Sequence, residues 1–181
     1  GGGLASVSCA RQQGRTCVHQ EEKEIKANGL LMRLSENFSL WELTKSQTAE
    51  RKGISNVPGK EEIKNLTALC KNVLQAVRTN YRVPIQPSSG YRCLALNNAI
   101  GSNSNSQHIT GQAVDFEVPW VNNKVLAHWI VDNLIFDQLI LEYYKEGEPK
   151  SGWVHVSYVE PIIKNRKRAR VCDGRVWKAL E

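Results

Sequence analysis

Apolar residues recur at helical spacing in two segments of the chain. In the first segment they lie three or four positions apart, at Ile63, Leu66, Leu69, Cys70, Val73, Leu74 and Val77. This spacing predicts a helix with one buried face, and Pro58-Gly59 marks a turn before it. In the second segment the apolar stripe consists of Val125, Leu126, Trp129, Ile130 and Leu134. It predicts another helix, capped by Asn122 or Asn123.

Shorter elements are predicted around these two helices. Ser39 is followed three positions later by Glu42, a capping-box pattern that predicts a short helix near the start of the domain. Residues 94–100 are typical of a short helix and residues 101–107 of a polar loop. A strand containing Ile85 is expected to lead into a turn at residues 88–92.

Three segments in the second half of the chain are predicted as strands, and in the first and third of them alternate side chains point to opposite faces. They are residues 113–118, 138–144 and 153–159, and turn-forming glycine and proline residues lie between the last two. Helices that come first and strands that come later favour an α+β fold. We therefore expect a single domain with a central antiparallel sheet and with helices packed on one side.

Length and composition fit one folded domain. The chain has 181 residues, of which 41% are hydrophobic and 23% are charged, which excludes global disorder. No apolar run approaches the roughly 20 residues of a membrane-spanning helix, so no transmembrane segment is expected. We expect a poorly ordered leader at residues 1–35, a domain at residues 36–171, a C-terminal tail at residues 172–181, and a monomer.

Part of the net charge of +6 is concentrated at residues 164–170, which read KNRKRAR. Charge runs usually face water, so a solvated tail is the favoured interpretation. The alternatives are attraction to an anionic cell wall or to a nucleic acid. No aromatic residue lies within the run, so no specific nucleic-acid partner is expected.

The five cysteines are an odd number, which excludes a fully paired framework, and no spacing matches a CxxC zinc module. Cys70 lies on the apolar face of the first helix and is expected in the core. Cys9 and Cys17 are compatible with a disulfide, and their redox state stays open. Cys9 is also compatible with the lipidated residue of a trimmed lipoprotein signal, although the residues before it do not form a complete signal peptide.

Two polar residues lie at the centres of predicted strands. Asp115 occupies the middle of the first strand, where aspartate is disfavoured, and His155 occupies the middle of the third. Two neutral imidazoles and one carboxylate are a usual ligand set for catalytic zinc and leave a fourth position for water. We therefore predict that His108, Asp115 and His155 bind Zn²⁺. The alternative is a surface loop histidine and a hydrogen-bonded core histidine without a metal.

Hydrolysis at such a site also needs a base that takes a proton from water. If residues 138–144 and 153–159 form a hairpin, Tyr144 pairs with Trp153 and Glu142 lies opposite His155. Opposed side chains have Cβ atoms about 5 Å apart, so Glu142 would project beside a metal ligand. We predict Glu142 as the base; the alternative is that it orients the other nitrogen of His155.

Four segments carry a resemblance to a known family. Residues 89–92 read SGYR, residues 106–115 read SQHITGQAVD, residues 137–142 read DQLILE, and residues 153–155 read WVH. They resemble the S-G-Y-R, S-x-H-x-x-G-x-A-x-D, D-Q-L-I-x-E and W-x-H patterns of the zinc D-alanyl-D-alanine carboxypeptidase and murein endopeptidase family, which has the hedgehog-like metallopeptidase fold. The resemblance covers roughly residues 38–170.

The resemblance implies a zinc peptidase, with the same three ligands, that hydrolyses peptide bonds of peptidoglycan stems by metal-activated water. It implies that Arg92 grips a carboxylate or carbonyl of the substrate, for which a planar guanidinium is suited; a surface salt bridge is the alternative. Ser106 is expected to bind the substrate or to cap its loop. Gln138 is expected to support the site from the strand face that carries Glu142.

One position departs from the family pattern. Many members place the catalytic acid three residues before the last histidine, where this chain has Gly152, so the base must come from elsewhere. The alternative function is a non-catalytic zinc-containing binding domain. The implied location is the cell envelope or the exterior, lipid-anchored or phage-released. The choice between a terminal D-alanine and a cross-link stays open, as does a bacterial or phage origin.

Overall fold

The computed structural model describes residues 31–180. Predictions about Cys9, Cys17 and most of the expected leader lie outside these residues. The domain begins slightly before residue 36, because Leu34 is buried in the core and Arg33 forms an isolated β-bridge with Ser39. No helix in the described part of the chain has both the length and the apolar character needed to cross a membrane.

The helices precede most of the strands along the chain. The α-helices of the described residues are α1 (Leu40–Thr44), α2 (Gln47–Lys52), α3 (Lys60–Leu69), α4 (Gln75–Tyr81), α5 (Leu94–Ala99) and α6 (Asn123–Asn133). A π-helical segment, Cys70–Leu74, joins α3 to α4, and a 3₁₀ helix spans Ile162–Lys164. The predicted long helix therefore forms, and Cys70 is fully buried in it as expected.

Two details of the helices test the predictions made for them, the capping box at Ser39 and the apolar stripe of the second long helix. The capping box of α1 forms, since the Ser39 amide donates to the Glu42 carboxylate at 2.8 Å and the Ser39 hydroxyl accepts from the Glu42 amide. The predicted stripe on α6 is partly wrong. Val125 is 56% exposed, and Ala127 is fully buried in its place beside Leu126.

The sheet has five strands in the order β1-β3-β2-β4-β5. They are β1 (Ala113–Phe116), β2 (Gln138–Glu142), β3 (Trp153–Ser157), β4 (Arg168–Cys172) and β5 (Trp177–Ala179). All neighbouring pairs are antiparallel except β2 and β4, which are parallel. The predicted α+β fold is confirmed, with a mostly antiparallel sheet.

The basic run and the expected tail contribute the last two strands, so their prediction as solvated or tail segments needs correction. In β4, Arg168 and Arg170 are exposed, whereas Ala169 and Val171 pack against the core. The run therefore alternates in the way a strand with one solvated face does. The strand was not predicted because most residues of the run are charged.

The predicted hairpin register is wrong by two residues. Glu142 pairs with Trp153, and Ile140, not Glu142, lies opposite His155. The ladder ends at Glu142 because Tyr143 takes a left-handed conformation with φ of 53° and donates its amide to the Cys172 carbonyl of β4. A shift of two residues keeps every side chain on its predicted face, so Glu142 still projects on the same side as His155.

The strand expected at Ile85 does not form. Ile85 is buried, but only Ser89 in this stretch pairs with β1, through an isolated bridge to Asp115. Pro84 and Pro87 lack the amide donors that a ladder needs.

The two faces of the sheet differ in chemistry. One face packs with the helices in the hydrophobic core through Val114, Phe116, Leu139, Leu141, Val154 and Val156. The opposite face, here called the front face, carries Asp115, Glu142, Trp153 and His155. The polar residues at the strand centres therefore belong to one surface.

Candidate metal centre and active site

Asp115 and His155 are brought together by the pairing of β1 with β3. They lie directly opposite each other in the ladder, and Asp115 Oδ1 is 2.8 Å from His155 Nδ1. Both side chains are mostly buried, at 14% and 11% exposed. The backbone register alone thus places two of the three predicted ligands side by side.

His108 reaches the same point from the loop before β1. Its Nε2 atom is 3.3 Å from Asp115 Oδ1 and 3.3 Å from His155 Nδ1. Its Nδ1 atom is 2.6 Å from the Gly90 carbonyl oxygen, to which it donates. Because Nδ1 carries the proton, Nε2 keeps a free lone pair that points at the other two residues.

The donor set fits a divalent metal ion. The three ligand atoms lie within 4.8 Å of one another, and their separations run from 2.8 to 3.3 Å. Tetrahedral bonds of about 2.0–2.1 Å place two ligand atoms about 3.3 Å apart. His108, Asp115 and His155 therefore form a cluster that could hold a metal.

The protonation states suit such a cluster. Burial lowers the pKa of His108, although Asp115 opposes the shift, so the imidazole is neutral. Burial opposes ionisation of Asp115, but His108 and His155 outweigh it by charge and hydrogen bonds and hold its pKa well below the usual range. A neutral His108 imidazole and an ionised Asp115 carboxylate are the forms in which these two side chains bind a metal ion.

The loop that carries His108 is held by side chains. Asp137, which is buried, accepts bonds from Arg166 Nε at 2.7 Å and from an Arg166 terminal nitrogen at 2.6 Å. It also accepts a bond from Gln107 Nε2 at 2.9 Å, and Gln107 Oε1 accepts one from Gln138 at 2.8 Å. Gln107 directly precedes His108, so this hydrogen-bond network fixes one end of the ligand's loop.

Glu142 and Arg92 lie close enough to the cluster to interact with it electrostatically. Burial raises the pKa of Glu142, and the Asp115 carboxylate adds to the effect, while His155 and Arg92 oppose it. Burial lowers the pKa of Arg92, and Asp115 and Glu142 oppose that shift. Arg92 Nε is buried with no hydrogen-bond partner among the described residues. A partly desolvated cation and a carboxylate therefore both interact electrostatically with the cluster.

Of the other two predicted residues, Ser106 lies in the loop before His108, and Gln138 is the first residue of β2 and contacts that loop. The Ser106 hydroxyl accepts a long bond, 3.4 Å, from the His108 amide, which is the geometry of the loop-capping alternative. Gln138 bonds to Gln107, as described above, and lies on the strand face of Glu142. Neither residue lies within the His108–Asp115–His155 cluster.

Sequence reasoning missed the groups that position His108. Gly90 offers only a backbone carbonyl, for which a sequence carries no signal. Arg166 was hidden within the basic run. Asp137 and Gln107 stood inside the quoted motifs, and their polar character next to apolar or ligand positions was the signal that could have identified them.

The comparison with family models agrees with this geometry. A model described as peptidase M15 matches residues 36–157, well over half of the chain. The chain belongs to the peptidase M15 family. The match includes all three residues of the metal cluster of this M15 peptidase and ends before β4. The motif resemblance is confirmed, and the protein is a metal-dependent peptidase by family. None of the curated proteins compared with it matches.

Proposed function

We propose that this M15 peptidase uses zinc to hydrolyse peptide bonds of peptidoglycan stem peptides, as a D-alanyl-D-alanine carboxypeptidase or a murein endopeptidase. The observation that supports it is the convergence of the His108–Asp115–His155 cluster with Glu142 and Arg92 on one side of the sheet. The motif resemblance to cell-wall peptidases supports the substrate.

Each of these residues has a role in the proposal. His108, Asp115 and His155 would hold Zn²⁺, which when bound acts as a Lewis acid that acidifies water and polarises the scissile carbonyl. Glu142 accepts the proton of the attacking water, and its raised pKa suits a base that must later return the proton. Arg92 binds a carboxylate or carbonyl oxygen of the substrate, which provides the partner that its Nε lacks.

The remaining parts of the proposal concern where the protein acts, its oligomeric state and the residues that support the site. An overall charge of +6 favours approach to an anionic wall. We propose that the protein acts in the cell envelope or outside the cell, as a monomer. Gln138 supports the loop of His108, and Ser106 caps that loop or binds substrate.

The test is digestion of purified muropeptides by the zinc-loaded protein, with products identified by mass spectrometry. Loss of a terminal D-alanine indicates a carboxypeptidase, and separation of cross-linked stems indicates an endopeptidase. Glu142→Gln should keep its zinc and lose at least about 100-fold of the activity, the lower end of what a positioned base contributes. Glu148→Gln, which changes an exposed carboxylate in the loop after β2, should keep full activity.

Two outcomes would overturn the proposal. Fully zinc-loaded wild-type protein that releases no product would point to the non-catalytic binding domain. A Glu142→Gln variant as active as wild type would remove Glu142 from the mechanism.

A further inference from the structure

A groove of about 770 Å³ begins beside the metal cluster. Asp115 and Arg92 line it at the cluster, and residues 86–89 line one side. Trp41 and Lys45 at α1 and Arg51 of α2 also line it. A cavity of this size is in the range of ligand sites. The groove therefore joins the candidate active site to the surface of the first two helices.

The wall formed by α1 is fixed to the metal site. The Leu43 carbonyl accepts a hydrogen bond from the Tyr91 amide at 2.7 Å. A Cβ atom on Gly90 would lie 2.3 Å from the same Leu43 oxygen, so only glycine permits this close approach. The carbonyl of Gly90 in turn binds His108. The position of α1 is thus coupled to a metal ligand through one residue.

Positive charge predominates along the groove. Its charged lining residues are Lys45, Arg51, Arg92, Glu50 and Asp115, and Asp115 is already engaged by two histidines. Lys45 Nζ lies 5.3 Å from the centre of the Trp41 ring, a cation–π contact that holds the ammonium at the wall. Within residues 31–180, neither Lys45 nor Arg51 forms a salt bridge. The groove therefore presents two cations, Lys45 and Arg51, that have no ion-pair partner among the described residues.

We propose that this groove is a subsite for a free carboxylate of the peptide substrate, bound by Lys45 with Arg51 adding to the positive potential. The inference rests on the proposed peptidase function, which makes the ligand a peptide. It adds that the peptide carries a free carboxylate at this position. A carboxylate satisfies the Lys45 ammonium without displacing it from Trp41, because an ammonium has three donors and the ring occupies one side. Arg92 remains available for the scissile region.

The test measures binding, so it does not depend on cleavage. Two synthetic pentapeptides that end in D-alanyl-D-alanine differ only in one glutamate carboxyl, free in one and amidated in the other. Dissociation constants are measured by calorimetry with zinc-loaded protein in the Glu142→Gln background, at low and high salt. The free-carboxylate peptide should bind about three- to fivefold more tightly at low salt, and the ratio should shrink at high salt.

Lys45→Met should bring that ratio close to one, because methionine keeps the apolar stem against Trp41 but removes the charge. Lys52→Met is the matched control: Lys52 is exposed at the end of α2 and does not line the groove, so the ratio should stay as in the parent. Equal binding of the two peptides, no binding of either, or an unchanged ratio in Lys45→Met would overturn the inference. Absence of cleavage by wild type with a preserved ratio would overturn only the proposed function.

Discussion

His155 and Asp115 lie on paired strands, whereas His108 lies in a loop, and the two regions hold their metal ligands by different interactions. The strand ligands are aligned by the ladder between β1 and β3, which uses backbone atoms. The loop ligand depends on the Gly90 carbonyl and on the hydrogen bonds that link the side chains of Gln107, Asp137 and Arg166. The same cluster therefore has one side aligned by a strand ladder and one side in a loop that combines backbone hydrogen bonds with a side-chain network.

The difference indicates where the site is sensitive to substitution. A backbone ladder tolerates changes in side chains that point away from the metal, because its hydrogen bonds do not involve them. A loop whose position depends partly on side-chain hydrogen bonds is weakened when one of those side chains is altered. Substitutions outside the ligand set should therefore affect the metal site mainly from the His108 side.

The largest effect is expected where the two regions meet. Asp115 contacts both histidines, so Asp115→Ala should weaken zinc binding at least about 100-fold, given zinc sites worth roughly 10–16 kcal/mol shared among the ligands. Competition with a chromophoric chelator measures this. Asp132→Ala, at an exposed carboxylate of α6, is the control and should bind zinc as wild type does. A loss below about tenfold in Asp115→Ala would exclude this cluster as the metal site.

The loop side also depends on a glycine. Gly111 donates its amide to the His108 carbonyl, has φ of +69°, and a Cβ there would lie 2.6 Å from the Glu62 carbonyl oxygen. Gly111→Ala should lower the free energy of unfolding by about 2–4 kcal/mol, from backbone strain plus the clash. Urea unfolding measures this.

Gly101 provides a matched control for that substitution. It has nearly the same φ, +71°, but nothing lies within 4 Å of the position of a Cβ. Gly101→Ala should therefore lose only the strain, about 1–2 kcal/mol. Equal losses in the two variants would show that the contact between Gly111 and Glu62 does not constrain the loop.

The contrast between the two regions also explains what the sequence could predict. Strand alternation predicted that Asp115 and His155 share faces with other polar residues, because the period of two is a local property. It could not predict that Asp115 faces His155, since the order of strands in the sheet depends on long-range packing. Nor could it predict the hairpin register. The ladder ends at the left-handed Tyr143, whose amide donates to the Cys172 carbonyl of β4, a residue far from the hairpin in sequence.

The basic run shows a different limit. Arg166 and β4 lie in a segment whose charge suggested a solvated tail, yet the segment pairs with β2 and anchors Asp137. In the basic run and the residue that follows it, only two small or apolar residues, Ala169 and Val171, pack against the core, and both are partly buried. So short an apolar pattern does not predict a strand when the surrounding residues are mostly charged. The strand is recognised only from its parallel pairing with β2.

The network on the loop side gives a smaller and more specific prediction. Asp137→Asn keeps the size of the side chain but removes the charge-assisted bonds to Arg166, so the Gln107 contact and the position of His108 should loosen. Zinc affinity should fall about tenfold, as for other groups that orient a ligand.

The counterpart on the strand side is Ser157→Ala. Ser157 is fully buried at the end of β3, opposite Ala113 in the ladder, and its hydroxyl accepts a bond from the Gln138 amide at 3.0 Å. The alignment of His155 with Asp115 does not use that hydroxyl, so zinc affinity should change less than about twofold. A larger loss of affinity in Ser157→Ala than in Asp137→Asn would reverse the comparison between the two regions.

The smallest effect concerns the pH dependence of the metal-free protein. Burial opposes ionisation of Asp137, but hydrogen bonds from Arg166 and Gln107 outweigh it and lower its pKa below the usual range. A folded pKa below the unfolded value of about 3.9 means that the carboxylate stabilises the fold above that pH and loses this contribution as the pH falls through the folded pKa. The difference in unfolding free energy between wild type and Asp137→Asn should therefore be largest near neutral pH and shrink below about pH 4.

Asp115, whose pKa is also lowered, is present in both proteins and its contribution cancels in this difference. Urea unfolding of both metal-free proteins across this range measures it, and a difference that stays constant with pH would show that the Asp137 carboxylate does not hold the loop through its charge.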